Sequence, residues 1–255
     1  MILSHSNQFI FVHCRKTAGS SIKAYLNDYM GPWDIQTGAW RDVINEGGSF
    51  NAKFYLDLAH PECLLRKDTY RRLCYMLKDG YALVDTVNSL QKYRYRGWFE
   101  DPSHPTAKEI KHFDSNSWGK YFKFGFVRNP YEKVVSDFVF KKEEKVTTKS
   151  FKAFVNELYS SEMSKREKDN HVRSKDWAMI SIEDKISLDF VGKYENLHRD
   201  FERVCNKLNL KCDTRALPTS KKYRNYNYEN FYNEETKRMV REIFEKEINK
   251  FGYSF

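Results

Sequence analysis

Two short stretches of this chain set cations beside hydroxyls and small residues. Residues 11–21, FVHCRKTAGSS, place Arg15 and Lys16 immediately before Thr17, Ala18, Gly19, Ser20 and Ser21. Residues 126–138, FVRNPYEKVVSDF, carry Arg128 and, about two helical turns further on, Ser136. Small residues let a backbone come close to an anion, hydroxyls add donors, and the cations supply charge. The chemistry on offer is the binding of a phosphate-like group, and any transfer that such a group would undergo there.

Both stretches need an element that presents them. QFIFVHC is an apolar run that gives way to Ile22, Tyr25, Leu26, Tyr29 and Met30, the spacing of an amphipathic helix. YFKFGFV ends at Arg128; Asn129 suits an N-cap and Pro130 a first helical position, before Tyr131, Val134, Val135, Phe138 and Val139 repeat the same spacing. LDFVGKY likewise precedes Leu197, Phe201, Val204, Cys205 and Leu208. Strand, turn and helix in three copies predict an α/β fold with a central parallel β-sheet flanked by helices. A strand that turns into a helix aims free N–H groups and the positive end of the helix dipole at its turn, where phosphate is the usual occupant. A last helix is expected after the N-cap Asn233, with Met239, Val240, Ile243, Phe244 and Ile248 inward and Gly252 as its stop.

No period repeats and no low-complexity linker divides the 255 residues, so 1–255 read as one domain. Residues 31–105 and 141–176 carry no motif of their own and read as insertions around the sheet, natural places for a substrate surface. The net charge of +9 favours an anionic partner. Five cysteines, an odd number without a C-x-x-C pair, indicate neither a disulfide framework nor a metal site. There is no apolar run of spanning length and no leader-like start, so the expected location is cytoplasmic with no membrane span.

Two alternatives bear on the anion. Lys16 precedes Gly19 instead of following a second glycine, so the first stretch is not a Walker A loop, and YALVDT, reaching Asp85, is the nearest approach to a Walker B strand. A P-loop-like nucleotide-dependent phosphotransferase is thus the enzymatic rival. Residues 219–232, TSKKYRNYNYENFY, interleave cations with aromatics as platforms for single-stranded nucleic acid do, which makes a basic nucleic-acid-binding protein the non-enzymatic one.

Taken together the two turns resemble those of the sulfotransferases that use 3′-phosphoadenosine 5′-phosphosulfate (PAPS), in the carbohydrate O-sulfotransferase branch. RKTAGSS looks like the 5′-phosphosulfate loop and FVRNPYEKVVSDF like the 3′-phosphate element. HPTAKEI at 104–110, DFVGKYENL at 189–197 and the ending FGYSF match in order. Cys14-Arg15 departs from the apolar residue and proline that the family often has before its lysine. The resemblance implies a P-loop-NTPase-like fold and sulfuryl transfer from PAPS to an acceptor hydroxyl, that of a carbohydrate first among lipid, peptide and small-metabolite alternatives, with no metal and no nucleic-acid partner.

It implies roles as well. Lys16 would lie near the bridging oxygen and stabilise the leaving 5′-phosphate, which Arg15, Thr17, Ala18, Gly19, Ser20 and Ser21 would surround. Arg128 and Ser136 would take the 3′-phosphate, joined by Lys222 and Arg224, with Lys221 beside them. His104 would remove the acceptor proton, with His60 as runner-up, and His13 would orient the loop or pack beneath it.

Overall fold

The computed structural model describes residues 1–65, 71, 83–147, 149–169, 175–211, 213, 217 and 227–255. Its main sheet runs in the order β3-β1-β2-β4-β7: β1 is Ile2–Ser4, β2 Phe9–Val12, β3 Ile35–Gln36, β4 Phe122–Val127 and β7 Phe190–Lys193. A separate ribbon pairs β5 (Ser181–Ile182) with β6 (Lys185–Ile186). The three strands expected from the sequence are the parallel heart of the sheet, with Phe11 opposite Phe124 and Phe124 opposite Phe190. The sheet is not parallel throughout, which corrects the expectation. β1 runs antiparallel to both β2 and β3, and the connection to β2 needs Gln8 at φ 52°. The chain's first apolar residues, too few to display a period, carry this hairpin.

Successive side chains of a strand point to opposite faces, and both faces of this sheet are covered. Phe9, Phe11, Phe124 and Phe126 pack with Ile22 and Leu26 of α1 (Gly19–Asn27) on one side. Ile10, Val12 and Val127 pack on the other with Ile110, Trp118 and Trp177. The remaining helices are α2 (Trp40–Asn45), α3 (Ala52–Ala59), α4 (Pro61–Leu64), α5 (Leu83–Tyr95), α6 (Ala107–Phe113), α7 (Ser115–Lys120), α8 (Pro130–Glu143), α9 (Phe151–Asp169), α10 (Lys175–Ile180), α11 (Leu197–Lys207), α12 (Glu234–Ile243) and α13 (Glu245–Phe251). A third cluster joins Val135, Phe138 and Val139 of α8 to Phe154 and Val155 of α9 and to Val240 and Ile243 of α12.

Two further expectations change. The last helix starts at an Asn233–Thr236 capping box and stops at Gly252 (φ +65°) as read, but it is broken at Phe244 (φ −108°, ψ 26°) into α12 and α13. Asp85 ends no strand: it lies in the first turn of α5 and pairs with Arg41. No helix among the described residues is long and apolar enough to cross a membrane.

Candidate active site

The turn between β2 and α1 is held by its own side chains. Thr17, buried, donates its hydroxyl to the Cys14 carbonyl at 2.9 Å. Lys16 and Ala18 adopt positive φ (59° and 61°), a conformation in which successive N–H groups face one concavity. Ala18 caps α1 in the left-handed region, no side chain caps the helix, and its first turn holds no acidic residue. The leading N–H groups of α1 therefore lack both an intrahelical acceptor and a carboxylate that would compete for them. Gly19 is obligatory for steric reasons: a Cβ there would come 1.8 Å from Cδ2 of His13, whose ring packs beneath the loop.

The second turn reaches the first. Arg128, leaving β4, donates from Nη1 to the Lys16 carbonyl at 3.4 Å and stacks over Tyr194, its guanidinium carbon 4.1 Å from the ring centroid. Asn129 caps α8 by accepting from the Tyr131 N–H at 3.1 Å, as its position in the sequence suggests. Glu132, Ser136 and Phe140 recur at four-residue intervals and so share a face of α8. Glu132 holds Arg128 at 3.3 Å, while Lys16 Nζ sits 4.3 Å over the Phe140 ring. Ser136, half-buried, falls between these two contacts to the loop. Arg128 thus divides its donors between the Glu132 carboxylate and the Lys16 carbonyl.

His104 lies on the other side of His13. Its Nδ1 is 2.9 Å from the His13 carbonyl oxygen, and the two rings are 4.6 Å apart. A carbonyl only accepts, so Nδ1 carries the proton of the neutral ring and Nε2 keeps a free lone pair. Burial, reinforced by Lys23 and Arg15, pushes the His104 pKa down to about 3, so the imidazole is neutral at ordinary pH. His104, His13, Ser20 and Phe140 line one cavity of about 710 Å³, completed by residues of α2, α5 and the end of α8. Thus His104 and one hydroxyl of the turn, that of Ser20, open onto the same space, whereas Lys16 lines a different cavity.

The sequence as a whole agrees with this geometry. The family model described as "Sulfotransferase family" matches residues 1–254. The chain belongs to the sulfotransferase family. No curated protein and no solved structure matches it. The sulfotransferase is accordingly an enzyme that transfers a sulfuryl group.

The remaining site residues can be placed. Arg15 in the sulfotransferase turns to α8, 3.7 Å from Asp137, and with Lys16 lines a smaller cavity of about 210 Å³. Cys14 is buried in the core, and burial pushes its thiol up to about 12, so it is not a nucleophile. His60 does not line the 710 Å³ cavity; it caps α4, its Nδ1 3.3 Å from the Glu62 N–H. Lys221, Lys222 and Arg224 lie outside the described residues. The C-terminal FGYSF docks on the second turn, with the Ser254 carbonyl accepting from Asn129 Nδ2 at 2.9 Å and Phe255 edge-on to Tyr131. Sequence reading missed Glu132 and the cavity residues Arg41, Asp42, Asn88, Glu143 and Glu144, which form no local motif and are brought together only by the packing of α2, α5 and α8.

Proposed function

We propose that this sulfotransferase moves a sulfuryl group from PAPS to a hydroxyl of an acceptor, a carbohydrate by the branch it resembles. The observation that supports this reading best is the uncapped N-terminus of α1, preceded by Lys16 and Ala18 at positive φ and tied through the Lys16 carbonyl to Arg128. The donor set fits a nucleotide with phosphate at both ends: backbone N–H groups and hydroxyls for the 5′ side, the guanidinium and the Ser136 hydroxyl for the 3′ side.

The donor supplies a sulfur centre whose leaving group is a phosphate. Lys16, with the N–H groups that open α1 and the Ser20 hydroxyl, stabilises charge growing on that phosphate. His104 takes the acceptor proton at Nε2 as the new oxygen–sulfur bond forms and the old one breaks, a contribution of roughly 10²- to 10⁴-fold for a placed base. The free ring at about 3 is a weak base. A polyanionic donor bound nearby would raise its affinity for a proton and so make it a stronger base.

Thermal shifts with 3′,5′-adenosine bisphosphate, AMP and ATP–magnesium test the reading, because a ligand bound only by the folded state raises Tm. Selective stabilisation by the bisphosphate is expected. Equal stabilisation by ATP–magnesium would favour the phosphotransferase rival and end the PAPS reading.

A further inference from the structure

The second turn is tied to residues 251–254 through one carboxylate. Glu195, in the single 3-10 turn Tyr194–Asn196 that follows β7, accepts from the Asn129 N–H at Oε1 (2.6 Å) and from the Tyr253 hydroxyl at Oε2 (3.2 Å). Ser254 closes the circuit, its carbonyl accepting from Asn129 Nδ2 at 2.9 Å. The same C-terminal segment is anchored to β7: Lys193 Nζ donates to the Phe251 carbonyl at 2.6 Å and lies 5.0 Å over the Tyr253 ring. Glu195 is exposed to solvent, yet both of its oxygens are engaged by other segments.

The Asn129 N–H belongs to the planar peptide unit that joins Arg128 to Asn129, so its bond to Glu195 fixes that plane and with it the ψ of Arg128. Tyr194, the neighbour of Glu195, lies under the guanidinium. Two consecutive residues thus hold Arg128 at both ends, one at the backbone from which the side chain leaves and the other at its charged tip. Building on the PAPS reading above, we propose that Glu195 is a positioning residue for the 3′-phosphate: it aims Arg128, and Tyr253 acts through it. The sign of the effect separates this role from plain electrostatics. A carboxylate near an anion site repels the ligand, so removing its charge would by itself tighten binding, whereas losing the aim of Arg128 loosens it.

Isothermal titration of the full chain with 3′,5′-adenosine bisphosphate and with AMP tests this in Glu195→Ala, in Tyr253→Phe and in the double variant. Glu195→Ala is expected to weaken the bisphosphate by about 10-fold, the low end for a hydrogen bond to a charged group, and to leave AMP unchanged. Tyr253→Phe, which keeps the carboxylate and removes only a hydroxyl, should weaken the bisphosphate by about 2- to 3-fold, and by nothing further in the Glu195→Ala background, because a residue that acts through another is not additive with it. A general loss of structure would weaken both nucleotides alike. That result overturns the proposal, as does a bisphosphate affinity that is unchanged or higher, or full additivity in the double variant. If the unaltered protein does not prefer the bisphosphate to AMP, the PAPS reading fails and the proposal falls with it; if it does and the variants keep that preference, only the positioning role falls. Tyr253→Phe decides the matter even if Glu195→Ala folds poorly.

Discussion

The turns at 14–19 and 128–130 follow neighbouring parallel strands and open helices of the same apolar spacing, yet their helix ends are built in opposite ways. α1 begins with a left-handed residue, no side-chain cap and no acidic residue in its first turn. α8 begins with Asn129 capping Tyr131 N, with Pro130 lacking an N–H, with Glu132 in its first turn, and with Glu195 accepting from Asn129 N at 2.6 Å. The protein has filled that end from within. For the proposed donor, then, the two turns would offer different means of holding a phosphate: backbone at the first, the Arg128 and Ser136 side chains at the second.

The largest effect should come from closing the first turn. Gly19→Ala puts a Cβ 1.8 Å from His13 Cδ2, so either the loop or the His13–His104 pair must move. Overpacking of this kind costs about 1–3 kcal/mol, and the displacement falls on the proposed base as well. Loss of the bisphosphate thermal shift and at least about a 100-fold drop in transfer are expected, since displacements near 1 Å at such sites cost that much. Gly119→Ala is the matched control: a Cβ in that helix meets nothing within 4 Å, and about 0.5–1 kcal/mol of added stability is expected. Equal behaviour of the two variants in the binding assay would remove the steric account of the loop.

Next in size is the cation of the second turn. Arg128→Ala should weaken the bisphosphate by about 1.5–3 kcal/mol, the range of a charge-assisted hydrogen bond, with little change for AMP, which lacks the 3′-phosphate. Isothermal titration with both nucleotides checks this. Equal losses for the two would mean that Arg128 acts through the Lys16 carbonyl, as a brace of the first turn, and the contrast between backbone and side-chain anchoring would then fail.

A smaller effect of opposite sign is expected at Glu132, which stands one turn from both Arg128 and Ser136. Glu132→Gln removes a carboxylate from beside the expected 3′-phosphate, so bisphosphate affinity should rise by about 0.5–1 kcal/mol, the scale of a partly exposed charge pair. A fall in affinity on titration would instead make Glu132 the residue that aims Arg128.

The difference between the turns was only half legible in the sequence. The strands at 9–12, 122–127 and 190–193 lie in largely apolar runs and could be read directly, as could the Asn129-Pro130 start and the Asn233 and Gly252 ends. The positive φ of Lys16 and Ala18 could not, because neither residue type favours that region and the Thr17 bond to Cys14 that fixes the loop is a contact and not a pattern. Glu132 looked like an ordinary first-turn acid. The cavity was out of reach for a stronger reason: Arg41, Asn88, His104 and Glu143 come from four segments, and only the docking of α2 and α5 against the end of α8 makes them neighbours. Membership of the family, by contrast, was legible in the order of its motifs, and the family model matches residues 1–254.

Each of the two helices also buries a lysine. Lys23 of α1 is fully buried and donates from Nζ to the Thr37 carbonyl at 2.7 Å, and burial pushes its pKa down to about 7. Lys133 of α8 is also buried, but it is paired with Asp176 and attracted by Glu247, and it falls only to about 8. Both titrate near 10.5 when the chain is unfolded. Above the folded value and below the unfolded one, the unfolded chain binds the additional proton, so stability rises with pH, by at most about 1.4 kcal/mol per unit for each group. Tm should therefore climb from pH 7 upward, first through Lys23 and then, from about 8, through Lys133 as well. Above the ordinary thiol value of 9.0 the Cys14 thiol, held up to about 12 by burial, contributes in the opposite direction. Lys23→Met should flatten the early part of that rise and Lys133→Met the later part, read by differential scanning calorimetry across the range. If Lys133→Met flattened the early part instead, the Asp176 pairing would not be sustaining its charge, and the second turn would be the less anionic of the two beneath its surface.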